Sequence, residues 1–139
     1  MGWLGWALLS ASFAALTAIF GKLGVAGVPS DYATFLRTAV ILVFAGSIVA
    51  ATGQWRSPGS LPGRTLLFLL LSGLATGASW LCYYRALQIG QAAQVAPVDK
   101  LSVVLVAVFG VLFLSERLSA ANWAGILLIA AGAVLVAWR

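Results

Sequence analysis

The chain has 139 residues, of which 63% are hydrophobic and only 8% charged, with a mean hydropathy of +1.07. A soluble domain carries roughly 25% charged residues, so this chain cannot cover a water-facing surface, and the same figures exclude disorder. There is no His and a single Cys, Cys82, which excludes His-based catalysis, zinc sites, an internal disulfide and a CxxC centre.

A bilayer-spanning helix needs ~20 mostly apolar residues. The pattern predicts an all-α, polytopic membrane protein with five such spans: about Trp3 to Gly24, Tyr32 to Thr52, Thr65 to Leu87, Gln94 to Leu114 and Ala120 to Trp138. Together they use most of the chain, as one transmembrane domain over residues 1–139. The first six residues, Met1 to Trp6, lack the basic stretch of a signal peptide, so the first span is expected to be retained. Turn chemistry separates the spans at Gly27-Val28-Pro29-Ser30-Asp31, across Gln54 to Arg64 with Pro58 and Pro62, at Ile89-Gly90-Gln91, and at Ser115 to Ser119. The apolar runs are too long for barrel strands and lack their alternation. Trp3, Trp6, Trp55, Trp123 and Trp138 sit near span ends, as an interfacial aromatic belt requires. Trp80 falls well inside the third span, where it either packs against lipid and helices or walls a solute cavity.

The net charge of +5 reads as a membrane topology signal rather than a nucleic-acid footprint, because the eight Lys and Arg are scattered among apolar runs. Five spans place Arg56, Arg64 and Arg117 on one side and Lys22, Arg37, Arg85 and Arg139 on the other. That near-even balance leaves the positive-inside rule without a preference. Either a span boundary is displaced or copies insert in both orientations.

Charge inside a bilayer costs roughly 2.5–3.5 kcal/mol per group on insertion scales. Lys22 and Arg37 lie within about two turns of a span end and are expected to reach the interface with their long stems. Asp99 and Lys100 lie deeper in the fourth span, just after Pro97. On a continuous helix these neighbours point about 100° apart and do not face each other. Asp99 would share a face with Ser102, and must meet protein or a water-filled cavity. It either pairs with a cation on another span or binds solute or a proton. Pro97 removes one helix hydrogen bond and frees a carbonyl nearby. Small residues mark helix contacts: Gly73 and Gly77 in the third span, Ala121, Gly125, Leu128 and Gly132 in the fifth, and Gly21 and Gly24 beside Thr17 and Ser10 in the first.

Several stretches resemble one membrane family. Leu16-Thr17-Ala18-Ile19-Phe20-Gly21-Lys22, Phe35-Leu36-Arg37 and Tyr83-Tyr84-Arg85-Ala86-Leu87 are similar to segments of the EamA domain of the drug/metabolite transporter superfamily. So is the run from Phe113 to Leu118, with its Glu116-Arg117-Leu118 turn, followed by the glycine-striped helix from Gly125 to Gly132. The resemblance covers essentially the whole chain. It implies an EamA-like helical bundle and a bacterial inner-membrane exporter of small metabolites or drugs, with membrane lipid and a small solute as partners. Most members carry two such domains with inverted halves, and this chain resembles one half.

The last two spans also resemble those of small multidrug resistance proteins, which work as antiparallel dimers. Where those proteins carry an essential Glu in the first helix, this chain has Ala14, which argues against their cation exchange operating unchanged. The comparison places Asp99 and Lys100 beside a family binding cavity.

These readings lead to a transporter built as an antiparallel homodimer. Its expected solute or proton contacts are Asp99, Lys100, Trp80, Ser10, Thr17, Tyr83, Arg37 and Ser102, with Gly125 and Gly132 in the dimer contact. The cavity is expected between copies. No metal or other cofactor is expected, and no nucleic acid. The competing readings are a non-transporting membrane subunit and half of a heterodimeric transporter. An enzyme is not expected, since the acids are Asp31, Asp99 and Glu116 alone, and Glu116 reads as a cap or pair at a helix-end turn beside Arg117.

Overall fold

The computed structural model describes residues 2–138. Arg139, counted above at a span end, lies outside them. The chain is 82% helical and without strands among the described residues. Its helices are α1 (Trp3–Gly24), α2 (Ser30–Ala51), α3 (Gly63–Ile89), α4 (Ala92–Asp99), α5 (Ser102–Leu114) and α6 (Ala120–Ala137), with a single 3₁₀ turn at Pro58–Ser60. Five segments are long and apolar enough to cross a bilayer, with α4 and α5 together forming the fourth from Ala92 to Leu114. The first span has the predicted bounds. The others shift by one or two residues at their ends, as fraying allows.

The fourth span departs from expectation in kind, because it is broken. Lys100 and Leu101 form a turn between α4 and α5. Here the backbone tightens to i→i−3 bonds: Leu101 N–H to the Val98 carbonyl (3.0 Å), Val103 to Lys100 (3.0 Å) and Val104 to Leu101 (3.0 Å). Pro97 lies inside α4 and has no N–H to donate, and Asp99 is a poor interior helix former. A run of branched apolar residues, Val103 and Val104 onward, then restarts the helix as α5.

The chain forms two compact units, residues 2–19 with 89–138, and Phe20–Gln88. In the first, α6 packs on α4 and on α5. The inward stripe of α6 is Trp123, Ile126, Ala130 and Ala133, spaced three or four apart so that they share one face. On α5 the buried positions are Ala107 and Gly110. Small residues at both contacts let the backbones approach, which in lipid is the main source of helix association. The turn after α5 is closed by Ser115 in the left-handed conformation (φ 57°) and by the Glu116 N–H, which donates to the Gly110 carbonyl (3.1 Å). The Glu116 carboxylate lies over Gly110, where a Cβ would stand 2.6 Å from Oε2. The Glu116 side chain thus covers Gly110, and among the described residues it forms no salt bridge with Arg117. α6 starts at a capping box: the Asn122 N–H donates to Ser119 Oγ (3.2 Å), and the Ser119 N–H to Asn122 Oδ1 (3.0 Å).

In the second unit the buried residues are Gly21, Val25, Ser30, Thr34, Tyr84 and Leu87. The short link between α1 and α2 is tied to the end of α3. Gln88 Nε2 donates to the Val28 carbonyl (3.0 Å), and Lys22 Nζ donates to the Leu87 carbonyl (2.6 Å). The last carbonyls of a helix have no partner in their own helix and attract cations, so Lys22 ends on a backbone oxygen and does not reach freely to the interface. Gly21 explains why α1 comes this close. A Cβ there would lie 3.0 Å from the Tyr84 hydroxyl and 3.3 Å from Leu87 Cδ1.

Substituting Gly21 therefore separates helices that Gly24, with nothing within 4 Å of its Cβ position, does not hold together. Gly21→Leu is expected to destabilise the protein by about 1–3 kcal/mol in detergent unfolding. Gly24→Leu should leave it within about 0.5 kcal/mol of the parent. Equal effects would contradict the packing described.

Candidate functional site

The sequence-predicted residues fall into two groups, one in each unit. In the first unit Asp99 closes α4 and Lys100 begins the break. Lys100 Nζ stands 3.1 Å from Asp99 Oδ2, so the two neighbours pair with each other. This corrects the expectation that they would not face each other. A continuous helix would hold them apart, but the interrupted backbone and the flexible lysine stem let the ammonium fold back. The side chains remain 57% (Lys100) and 35% (Asp99) exposed. That number matters, because an ion pair this open within a membrane-spanning segment needs cover from lipid headgroups, water or another chain. Ser102 is exposed just beyond the break, so it is not on one regular helix with Asp99. On α1, Ser10 is exposed and Thr17 half-buried, seven residues apart on one face.

In the second unit α2 carries Arg37 and α3 carries Trp80, Tyr83 and Tyr84. The Arg37 Cζ lies 4.1 Å from the Trp80 ring centroid and 5.1 Å from that of Tyr84. Trp80 and Tyr84 are four residues apart on one helix, so they present adjoining aromatic faces. A guanidinium over such faces gains roughly 0.5–2 kcal/mol, more as water is removed. Arg37 therefore does not snorkel as expected. Arg37 lies about two helix turns into α2, and the rings offer a nearer seat for the charge. One edge stays unsatisfied, because Arg37 Nη1 is buried and has no hydrogen-bond partner. Tyr83 is half-buried and meets Tyr84 edge-on at 6.3 Å. Tyr84, 4% exposed, was not among the sequence candidates. The i, i+4 spacing from Trp80 was the available signal for it.

Gly125 and Gly132 lie off the inward stripe of α6. Nothing among the described residues stands within 4 Å of the Cβ position of either. The same is true of Gly73 and Gly77 on α3. The glycines of α6 thus leave a smooth strip of helix uncovered, while its own packing uses the alanine face.

Five apolar spans, one of them broken at an ion pair, define a multi-pass membrane protein. The chain belongs to the EamA-like transporter family, whose model matches residues 1–138. A relative from Sinorhizobium, named as an uncharacterized transporter in the cobO 3' region, is 66% identical over 135 residues, covering 97% of this chain and 96% of the relative. No solved structure matches the chain. The protein is a membrane transporter of a family that does not in general comprise enzymes.

Proposed function

We propose that the protein is an exporter of small metabolites or drugs in the bacterial inner membrane, working as an antiparallel homodimer of five-span subunits. The observation that carries this reading is the broken fourth span with its half-open Asp99–Lys100 pair. Discontinuous helices build solute and ion sites in transporters, and intramembrane ionisable residues mark solute or proton pathways. Asp99 would bind solute or a proton, with Lys100 modulating its charge. Ser10, Thr17 and Ser102 would offer hydroxyls in the same unit, and within the second unit Arg37, Trp80 and Tyr83 are the proposed solute contacts.

Four features support assembly from two copies. The relative matched over nearly its whole length has the same one-domain size. Five helices are too few to surround a solute path, whereas two inverted halves place one at their interface. The near-even split of Lys and Arg removes the barrier to inserting both ways. The uncovered Gly125 and Gly132 would let α6 approach its counterpart closely.

The orientation claim is tested by C-terminal reporters active only in the cytoplasm or only outside it. Both are expected to be active on the same chain, and two lysines added to one loop should bias the ratio. Activity of one reporter alone would exclude the inverted dimer.

The role of Asp99 is tested in proteoliposomes challenged with cationic, neutral and anionic solutes. Asp99→Asn is expected to lower the rate for the solute that the parent moves by tenfold or more, with the oligomer still intact on gel filtration. An unchanged rate would remove Asp99 from the pathway. Loss of the oligomer would make its role structural.

A further inference from the structure

We propose that Arg37 is an anion-binding residue and that the transported solute carries a carboxylate or phosphate group, which the guanidinium edge receives while Trp80 and Tyr84 hold its face. This inference rests on the transporter reading above and names the solute class for it.

The Arg37 guanidinium is already partly engaged. Its planar face is engaged by the Trp80 ring at 4.1 Å and the Tyr84 ring at 5.1 Å. Stacking consumes the face of a guanidinium and leaves its in-plane N–H donors free. One of those nitrogens, Nη1, has no hydrogen-bond partner and is covered by neighbouring side chains, so an anion meets it only once those side chains move aside. Buried donors are satisfied in nearly every protein, and one that is not calls for an explanation, an absent ligand among them.

A carboxylate of the protein is not the missing partner. Among the described residues the salt bridge observed is Lys100–Asp99, and Arg37 makes none. Within its own unit, Phe20–Gln88, the cations are Lys22, Arg37, Arg56, Arg64 and Arg85, and the acid is Asp31 alone. Asp31 accepts from Ser30 Oγ (3.2 Å) and lies six residues before Arg37, nearly two helix turns away. The unit thus holds an excess of positive charge with no carboxylate placed to offset it at Arg37.

Depth adds to this. Arg37 is the eighth residue of α2, about 10 Å along the helix from its start at 1.5 Å per residue. That places it inside the apolar part of the span, where an unmatched charge is costly and an arriving anion is correspondingly favoured. Two parallel N–H···O bonds from a guanidinium edge match the two oxygens of a carboxylate or phosphate. The indole and phenol beside it suit a solute with an aromatic or other flat apolar portion. A lipid phosphate has the same anionic oxygens, so the test must separate the two sources.

The experiment uses the full chain in nanodiscs of phosphatidylcholine alone, and in parallel nanodiscs containing phosphatidylglycerol. The probes are benzoate, phenyl phosphate and the neutral isostere benzamide, and the readout is the ligand-dependent rise of the thermal unfolding midpoint. At least one of the anions is expected to stabilise the parent saturably, and benzamide is not. Affinity should fall tenfold or more in Arg37→Gln and remain within threefold in Arg56→Gln, which removes an exposed loop cation of the same unit. Arg37→Lys, which keeps the charge but loses the two-pronged edge, should bind at least fivefold more weakly, and serves if the Gln variant does not fold. Failure of both anions to bind, or equal binding by the Arg37 variants, overturns the proposal. Stabilisation by phosphatidylglycerol that depends on Arg37, without binding of either soluble anion, assigns the site to lipid and overturns it too.

Solute-driven currents in proteoliposomes then separate this claim from the transporter reading. Currents with amines or neutral solutes that Arg37→Gln leaves intact overturn the anion site and keep the transporter. Arg37-dependent binding of an anion with no movement of any solute keeps the anion-binding residue but overturns its assignment to a transported solute.

Discussion

Hydrocarbon cannot hydrogen-bond, and every charged or polar group that this chain carries into the bilayer must find a partner there. With 63% hydrophobic residues and only three acids, the chain has few partners of its own to offer. The structure shows three different answers. Lys22 ends on the orphan Leu87 carbonyl at the close of α3. Arg37 rests on the faces of Trp80 and Tyr84. Lys100 folds back on Asp99 across a break in the helix. The first is complete within the chain. The second leaves a buried nitrogen without a partner, and the third leaves both side chains part open. The incomplete answers are the residues to which function is assigned here, because what they lack must come from outside the chain.

The same solvent explains the packing. Lipid tails are as apolar as leucine, so large hydrophobic side chains gain little by turning inward, and most of them here face out. Besides Val25, Tyr84 and Leu87, what is buried is small: Ala18, Ala107, Gly110 and Ala133, with Gly21 under Tyr84. Close backbone approach replaces the hydrophobic core of a soluble domain. Gly125 and Gly132 have the same character but no neighbour, so α6 carries one small-residue face that is used and one that is open.

Much of this was legible in the residues. Length and hydropathy locate the five spans to within a residue or two, because a bilayer imposes one thickness on all of them. The break in the fourth was not legible. Pro97 announces a weakened helix, yet periodicity cannot tell a kink from a two-residue turn, and the i→i−3 bonds begin three residues later. Arg37 was misread for a different reason. Reach to the interface can be judged from one helix, but Trp80 and Tyr84 belong to another, and nothing local to Arg37 announces them. The glycine stripe of α6 shows the same limit: spacing identifies a face that permits close approach, not which helix takes it. Trp80 was picked out because it departs from the end-of-span pattern of the other five tryptophans. Tyr84 shares its stretch with Tyr83, and only the i, i+4 spacing from Trp80 sets it apart.

The central claim is that a second, inverted copy supplies what the single chain lacks, with the open glycine strip of α6 at the contact. Cysteine cross-linking in membranes tests it most directly, with Cys82→Ser as the background. Two differently tagged chains are co-expressed, one with Ala121→Cys near the start of α6 and one with Val136→Cys near its end. An antiparallel contact centred on Gly125 and Gly132 predicts cross-links between position 121 of one copy and position 136 of the other, and none between like positions. Cross-links of 121 to 121 and of 136 to 136 would mean a parallel pair and would contradict the account.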